Sequence, residues 1–136
     1  MPRFSANVSM MFTEHTFLDR FAAARDAGFE AVEFQFPYDH APDEIGRAVR
    51  DNGLAVSVFN LSPGDWRSGE RGFAALPGRE ADFRATVTQA LPYAKAVRAK
   101  RLHAMAGIAK PGADTDAVFL DNIRYGADRL AEAGLE

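Results

Sequence analysis

The strongest constraint on this 136-residue chain is that short apolar runs alternate four times with stretches of helical periodicity. Phe4 to Val8 reads as a buried strand. Phe17, Leu18, Phe21, Ala22 and Ala24 recur at helical spacing and place a first helix from about Glu14 to Ala27, with Thr13 as its cap and Gly28 as its stop. Ala31 to Phe36 alternates with period two and ends at Pro37. Pro42 opens a second helix, with Asp43 and Glu44 near its positive end, and Gly53 closes it. Leu54 to Phe59 is a third strand. The loop from Asn60 to about Gly78 holds four glycines and two prolines. A third helix spans about Arg79 to Ala99, and Pro92 is expected to kink or split it. Leu102 to Met105 is a fourth strand. Asp114 or Thr115 caps a fourth helix that runs to Ala133, before Gly134.

Alternating strands and helices imply a parallel sheet with right-handed crossovers. Two large architectures use that plan, the doubly wound sheet and the eight-fold barrel. The turn after the first strand, Ser9 to Thr13, has no glycine, which disfavours a dinucleotide-binding sheet. The expectation is an α/β fold, a parallel (βα)4 half of a TIM-type (β/α)8 barrel that is incomplete at its C-terminus. Residues 1–136 are read as one domain of that kind. Ala133-Gly134-Leu135-Glu136 reads as the lead into a fifth strand, so the chain is expected to be the front half of something longer.

Composition narrows the function classes. With no cysteine, a disulfide scaffold and a thiolate metal site are excluded. Lys plus Arg number 16 against 19 Asp plus Glu, whereas nucleic-acid binders usually carry a basic footprint. No run approaches the roughly 18–20 apolar residues that span a bilayer, and the start lacks the apolar core of a signal peptide. A cytoplasmic protein with no nucleic-acid and no membrane partner is expected.

Several strings carry a resemblance. They are Phe4-Ser5-Ala6-Asn7-Val8-Ser9-Met10-Met11-Phe12, then Gly28-Phe29-Glu30-Ala31-Val32-Glu33-Phe34 with Phe36-Pro37-Tyr38. Further along come Gly64-Asp65-Trp66, Gly69-Glu70-Arg71-Gly72, Leu76-Pro77-Gly78-Arg79 and Leu102-His103-Ala104-Met105-Ala106-Gly107. Together they resemble the hydroxypyruvate isomerase family, whose fold is similar to the xylose-isomerase-like barrels. The resemblance implies interconversion of hydroxypyruvate and tartronate semialdehyde, with a 2-oxo-tetronate isomerase or a related sugar epimerase as alternatives. It also implies a divalent metal, Mg or Mn, held by carboxylates and polar side chains, and two glutamates that move a proton between adjacent carbons. In the family those groups lie on strands five to eight. No catalytic or metal-ligating residue is therefore assigned to this chain, Glu136 included. Alone it is expected to bind no metal and to be inactive. The implied partners are a small hydroxy-keto acid and the other half of the barrel. The competing expectation is a noncatalytic half-barrel that self-associates.

Barrel sites sit on the loops after the strands, here Ser9 to Phe12, Phe36 to Asp39, Asn60 to Trp66 and Gly107 to Lys110. If Ala6, Val8, Val32 and Phe34 face the helices, then Ser5, Asn7, Ser9, Glu33 and Gln35 face inward. Glu33 is a carboxylate within a strand, costly unless paired; it orients substrate or pairs with a basic group. His103 either bonds a substrate oxygen or is a satisfied core histidine. Asn7 and Asn60 suit substrate hydroxyls, although Asn60 also suits a turn. Trp66 is either a lid over a small polar substrate or an anchor of its loop. The expected substrate-binding set is Asn7, Glu33, Asn60, Trp66 and His103. His15 and His40 are expected to be exposed, and Lys95, Arg98, Lys100 and Arg101 to form a solvated face.

Overall fold

The computed structural model describes residues 2–135, so Glu136 lies outside them. Four strands and four helices alternate: β1 (Ser5–Asn7), α1 (Asp19–Asp26), β2 (Ala31–Phe34), α2 (Pro42–Asp51), β3 (Ala55–Asn60), α3 (Glu80–Val97), β4 (Leu102–His103) and α4 (Ala113–Glu132). The strands form one parallel sheet in the order β1-β2-β3-β4. This is the expected α/β plan of a half-barrel.

The register sets which side chains meet. Ala6 stands opposite Val32, and Asn7 opposite Glu33. Val32 opposes Val56 but Phe34 opposes Phe59, so β3 carries one extra residue in that interval. Such a bulge locally turns the strand and re-aims its side chains.

The chain packs as two compact units, residues 1–59 with 92–102, and residues 60–91 with 103–136. In the first unit, Ala6, Val8, Val32, Phe34 and Phe59 are buried together with Phe21, Ala24, Ile45 and Val49. The rings of Phe34 and Phe59 stack at 5.5 Å, and Phe21 meets Phe34 edge-on at 5.9 Å. Each fully buried phenylalanine contributes about 1.5–3 kcal/mol of transfer free energy. The period-two expectation holds: the residues assigned to the helix side are buried, while Ser5, Asn7 and Glu33 are half-buried. In the second unit, Phe73, Ala74, Ala75, Phe83 and Val87 are buried. There Asn122, 2% exposed, donates to the Ala74 carbonyl at 3.0 Å.

Local ends differ from expectation for identifiable reasons. α1 begins at Asp19, not near Glu14, and Thr13 does not cap it. Arg20 reaches back to the carbonyls of Val8 at 3.0 Å and His15 at 3.1 Å, holding residues 12–18 as turns. Phe12 accordingly takes a left-handed φ of 59°. Gly28, at φ 91°, ends α1 as expected, with the Phe29 N–H bonded to the Ala24 carbonyl at 3.1 Å. β2 stops at Phe34 because the Gln35 N–H turns to the Ser9 hydroxyl at 2.8 Å. β4 stops at His103 because the Met105 and Ala106 carbonyls accept from Ala74 and Ala75. Pro92 does not split α3, which runs unbroken through it. α4 has Gly112 at its N-cap with no side-chain bond, and Thr115 instead donates to the Lys110 carbonyl at 2.9 Å.

Candidate functional site

In the first unit, strand alternation puts Ser5, Asn7, Glu33 and Ser57 on one face of the sheet, opposite the buried apolar face. Asn7 Nδ2 donates to Glu33 Oε1 at 3.2 Å, and Ser57 Oγ to Glu33 Oε2 at 3.4 Å. The Ser5 and Ser57 hydroxyls meet at 2.9 Å. Asn7 Oδ1 in turn accepts the Ser9 N–H at 3.1 Å. Glu33 is thus held by the Asn7 amide at one oxygen and neighboured at the other by the Ser57 hydroxyl, which also lies 3.3 Å from the Val32 carbonyl, rather than by a basic group. Each carboxylate oxygen accepts more than one hydrogen bond, so Glu33 is an oriented acceptor with capacity left for a hydroxyl.

In the second unit, Asn60 Oδ1 lies 3.2 Å from His103 Nδ1. With the amide oxygen as acceptor, His103 donates from Nδ1 and Nε2 is left as an acceptor. The Leu61 N–H bonds to the His103 carbonyl at 3.0 Å and fixes the backbone of both residues. His103 is exposed, so the core-histidine alternative does not apply.

The third expected element is the Trp66 loop, also in the second unit. Trp66 is 48% exposed, whereas Phe73, 6% exposed, is buried in the second unit. The loop is stiffened by charge. Asp65 Oδ1 accepts the Arg67 and Ser68 N–H groups at 2.9 and 3.2 Å. Glu70 Oε2 accepts the Asp65 N–H at 2.6 Å, and Glu70 Oε1 pairs with Arg79 at 2.8 Å. Those two partners, the Asp65 N–H above all, hold the Glu70 carboxyl below its ordinary range. Arg79 also bonds Asp82, and its guanidinium pKa is raised by Asp82 first and Glu70 second. Arg71 lies over the Trp66 ring, 3.6 Å from its centroid. A cavity of about 220 Å³ is lined by residues 68–72, Leu76 and Ile108.

The five expected residues therefore fall into Asn7 with Glu33, Asn60 with His103, and Trp66 with Arg71. Sequence reasoning missed Ser57, whose signal was its inward place on the third strand. It also missed Arg71 and the Glu70–Arg79 pair, whose signal was the charge within and just after a glycine-rich loop. His15 is exposed as expected. His40 is not: it is half-buried, stacked on Phe17 at 5.4 Å, and its carbonyl accepts the Tyr93 hydroxyl at 2.8 Å. The neighbouring Phe17 ring shields it from water. Lys95, Arg98, Lys100 and Arg101 are exposed.

Among the described residues, no three His, Asp or Glu side chains gather to hold a metal ion. Glu33 is surrounded by an amide and a hydroxyl, and His103 faces an amide. These residues by themselves do not fit the divalent ion that the resemblance implies. Among the described residues, no helix is long and apolar enough to cross a membrane.

Residues 21–136 match the family model described as xylose isomerase-like TIM barrel. The chain is 53% identical over 138 residues to the 2-oxo-tetronate isomerase of Cupriavidus necator, covering 99% of this chain and 53% of that protein. It is 43% identical over 133 residues to the hydroxypyruvate isomerase of Escherichia coli, covering 96% and 52%. A crystal structure from Brucella melitensis described as AP endonuclease, family 2, superposes with a TM-score of 0.94 at 49% identity, over 99% of this chain and 53% of that one. A D-psicose 3-epimerase shares the fold, with a TM-score of 0.62 at 14% identity, over 90% of this chain and 45% of that one. The chain spans about half the length of the curated relatives it matches.

Proposed function

The chain belongs to the xylose isomerase-like TIM barrel family, and from that membership we propose that it forms one half of an isomerase acting on small hydroxy-keto acids. The reaction is the interconversion of hydroxypyruvate and tartronate semialdehyde. The observation that carries this reading is the identity of nearly the whole chain to proteins named for such isomerisations. A second reading, a 2-oxo-tetronate as substrate, is favoured by the 53% identity to the C. necator protein.

The contribution of these residues is binding and orientation. Glu33, held by Asn7 and neighboured by Ser57, accepts a substrate hydroxyl and repels a carboxylate, and so sets which end of the substrate enters. In the second unit, His103, held by Asn60, presents Nε2 as a hydrogen-bond acceptor. The Trp66 loop, in the same unit as His103, excludes water from an acid bound there. On this proposal, the Mg or Mn ion and the carboxylates that move the proton come from outside these residues, and the inward face pairs with that remaining half. Self-association without catalysis is the rival reading.

The test is a chimera in which this chain replaces the corresponding residues of the C. necator enzyme. Proton NMR follows hydroxypyruvate and a 2-oxo-tetronate with Mg or Mn, and an abasic-site DNA duplex serves as the alternative substrate. Isomerisation by the chimera and none by the 136-residue chain supports the proposal. Turnover by the chain alone overturns the division of labour. A folded chimera that cleaves the duplex and isomerises neither acid overturns the isomerase reading.

A further inference from the structure

We propose that Arg71, stacked on Trp66, is a carboxylate-binding subsite for a three- or four-carbon 2-oxo acid. The inference rests on the reading of the protein as a keto-acid isomerase and deepens it. A neutral sugar needs no cation at its site. A keto acid brings a carboxylate, which is costly to desolvate unless a fixed cation meets it.

The geometry selects Arg71 over the other cations of the loop after β3. Its Nη1 donates to the carbonyls of Trp66 at 3.0 Å and Glu70 at 2.7 Å. Its guanidinium carbon lies over the indole, 3.6 Å from the ring centroid. Those contacts fix the position of the group. They leave Nε and Nη2 without a partner among the described residues. That open edge is one of the two guanidinium edges that receive a carboxylate through two parallel N–H···O bonds. Arg79, by contrast, is already paired with Glu70 and Asp82.

Arg71 also lines the cavity of about 220 Å³, roomy enough for a small acid, together with Ser68, Leu76 and Ile108. Glu70 lines the same cavity but is engaged through both oxygens, so its charge is offset by Arg79. Ile108 is 79% exposed and gives the cavity an apolar lip.

Trp66 is the one tryptophan of the chain, so its emission reports on this contact directly. The experiment titrates the 136-residue chain with hydroxypyruvate, with unreactive pyruvate, with uncharged dihydroxyacetone and with sulfate. The expected result is a saturable emission change for the two acids and none for dihydroxyacetone or sulfate. Arg71→Gln should abolish it. Arg71→Lys, which keeps the charge and loses the fork, should weaken it about tenfold. Arg67→Gln should leave it unchanged. Far-UV circular dichroism of each variant separates lost binding from lost fold, and Arg71→Lys carries the test if Arg71→Gln does not fold. An equal response to dihydroxyacetone or sulfate overturns the carboxylate assignment, and so does binding unaltered in both Arg71 variants. Acid binding that needs Arg71, beside a chimera that does not isomerise, would sink the isomerase reading alone. A chimera that isomerises equally well with Arg71→Gln would sink the subsite alone.

Discussion

Asn7 on β1 and Glu33 on β2 stand directly opposite in the parallel register and share a hydrogen bond of 3.2 Å. The bond joins a neutral donor to an ionised acceptor on a half-buried face. A charge-assisted bond of this kind contributes about 1–2 kcal/mol. Asn7→Ala and Glu33→Ala should therefore be non-additive by about 1 kcal/mol in a double-mutant cycle read by urea unfolding. Additivity within error would mean that the two side chains meet without stabilising each other.

The stability of the chain should fall with acid. Glu70 is held below its ordinary value of 4.5 by the Asp65 N–H first and by Arg79 second. Glu80 is lowered likewise, by its own N–H and that of Gly78. A carboxylate whose folded pKa is depressed binds fewer protons folded than unfolded. Its stabilisation is present above the ordinary value and is lost as pH falls through the folded value. The urea midpoint should be flat from pH 7 to about 5 with respect to these groups, then drop. Glu70→Gln should reduce that drop, and Glu70→Gln with Glu80→Gln should reduce it further. Parallel curves for all three proteins would contradict the assignment.

The loop after β3 should tolerate loss of its tryptophan better than loss of its phenylalanine. Trp66 is 48% exposed and Phe73 6%. Trp66→Ala should cost under about 1 kcal/mol, since it forfeits a surface cation–π contact. Phe73→Ala should cost about 3–5 kcal/mol, because it opens a cavity in the second unit. Thermal unfolding of the two variants checks this, and equal losses would return Trp66 to the role of anchor.

Two glycines of that loop separate clash from strain. Gly69 and Gly72 have φ of 96° and 97°. A Cβ on Gly69 meets nothing within 4 Å, whereas one on Gly72 lies 2.3 Å from the Met105 carbonyl oxygen. Gly69→Ala should cost about 1 kcal/mol of backbone strain. Gly72→Ala should cost at least about 2 kcal/mol more and break the bridge between Gly72 and Ala106. Chemical denaturation reads the difference, and equal costs would show that the two segments separate freely.

The sequence made the element order and the strand faces legible. Ala6, Val32 and Phe34 are buried and Asn7 and Glu33 are not, as alternation requires. Element ends were less legible. Phe17 and Leu18 share the helical spacing of Phe21, yet Arg20 holds the nearby carbonyls in turns. No periodicity records such a contact. The sequence leaves both a lid and an anchor open for Trp66, because exposure depends on what the rest of the loop packs against. Arg71 escaped notice because its two backbone acceptors exist only once the loop has closed.

What the sequence determined alone is local. Side chains alternate along a strand and recur every 3.6 residues along a helix whatever lies beside them. Those two periods suffice for the α/β order and for the inward placement of Asn7 and Glu33. What only the tertiary structure decided is partnership. Glu33 takes Asn7 and Ser57 from strands 26 and 24 residues away. Asn60 takes His103 from 43 residues away, and Glu70 takes Arg79 rather than the adjacent Arg71. Those pairings depend on register, on the bulge in β3 and on loop closure. Each is set by packing between segments distant in the chain, which one strand's pattern does not encode.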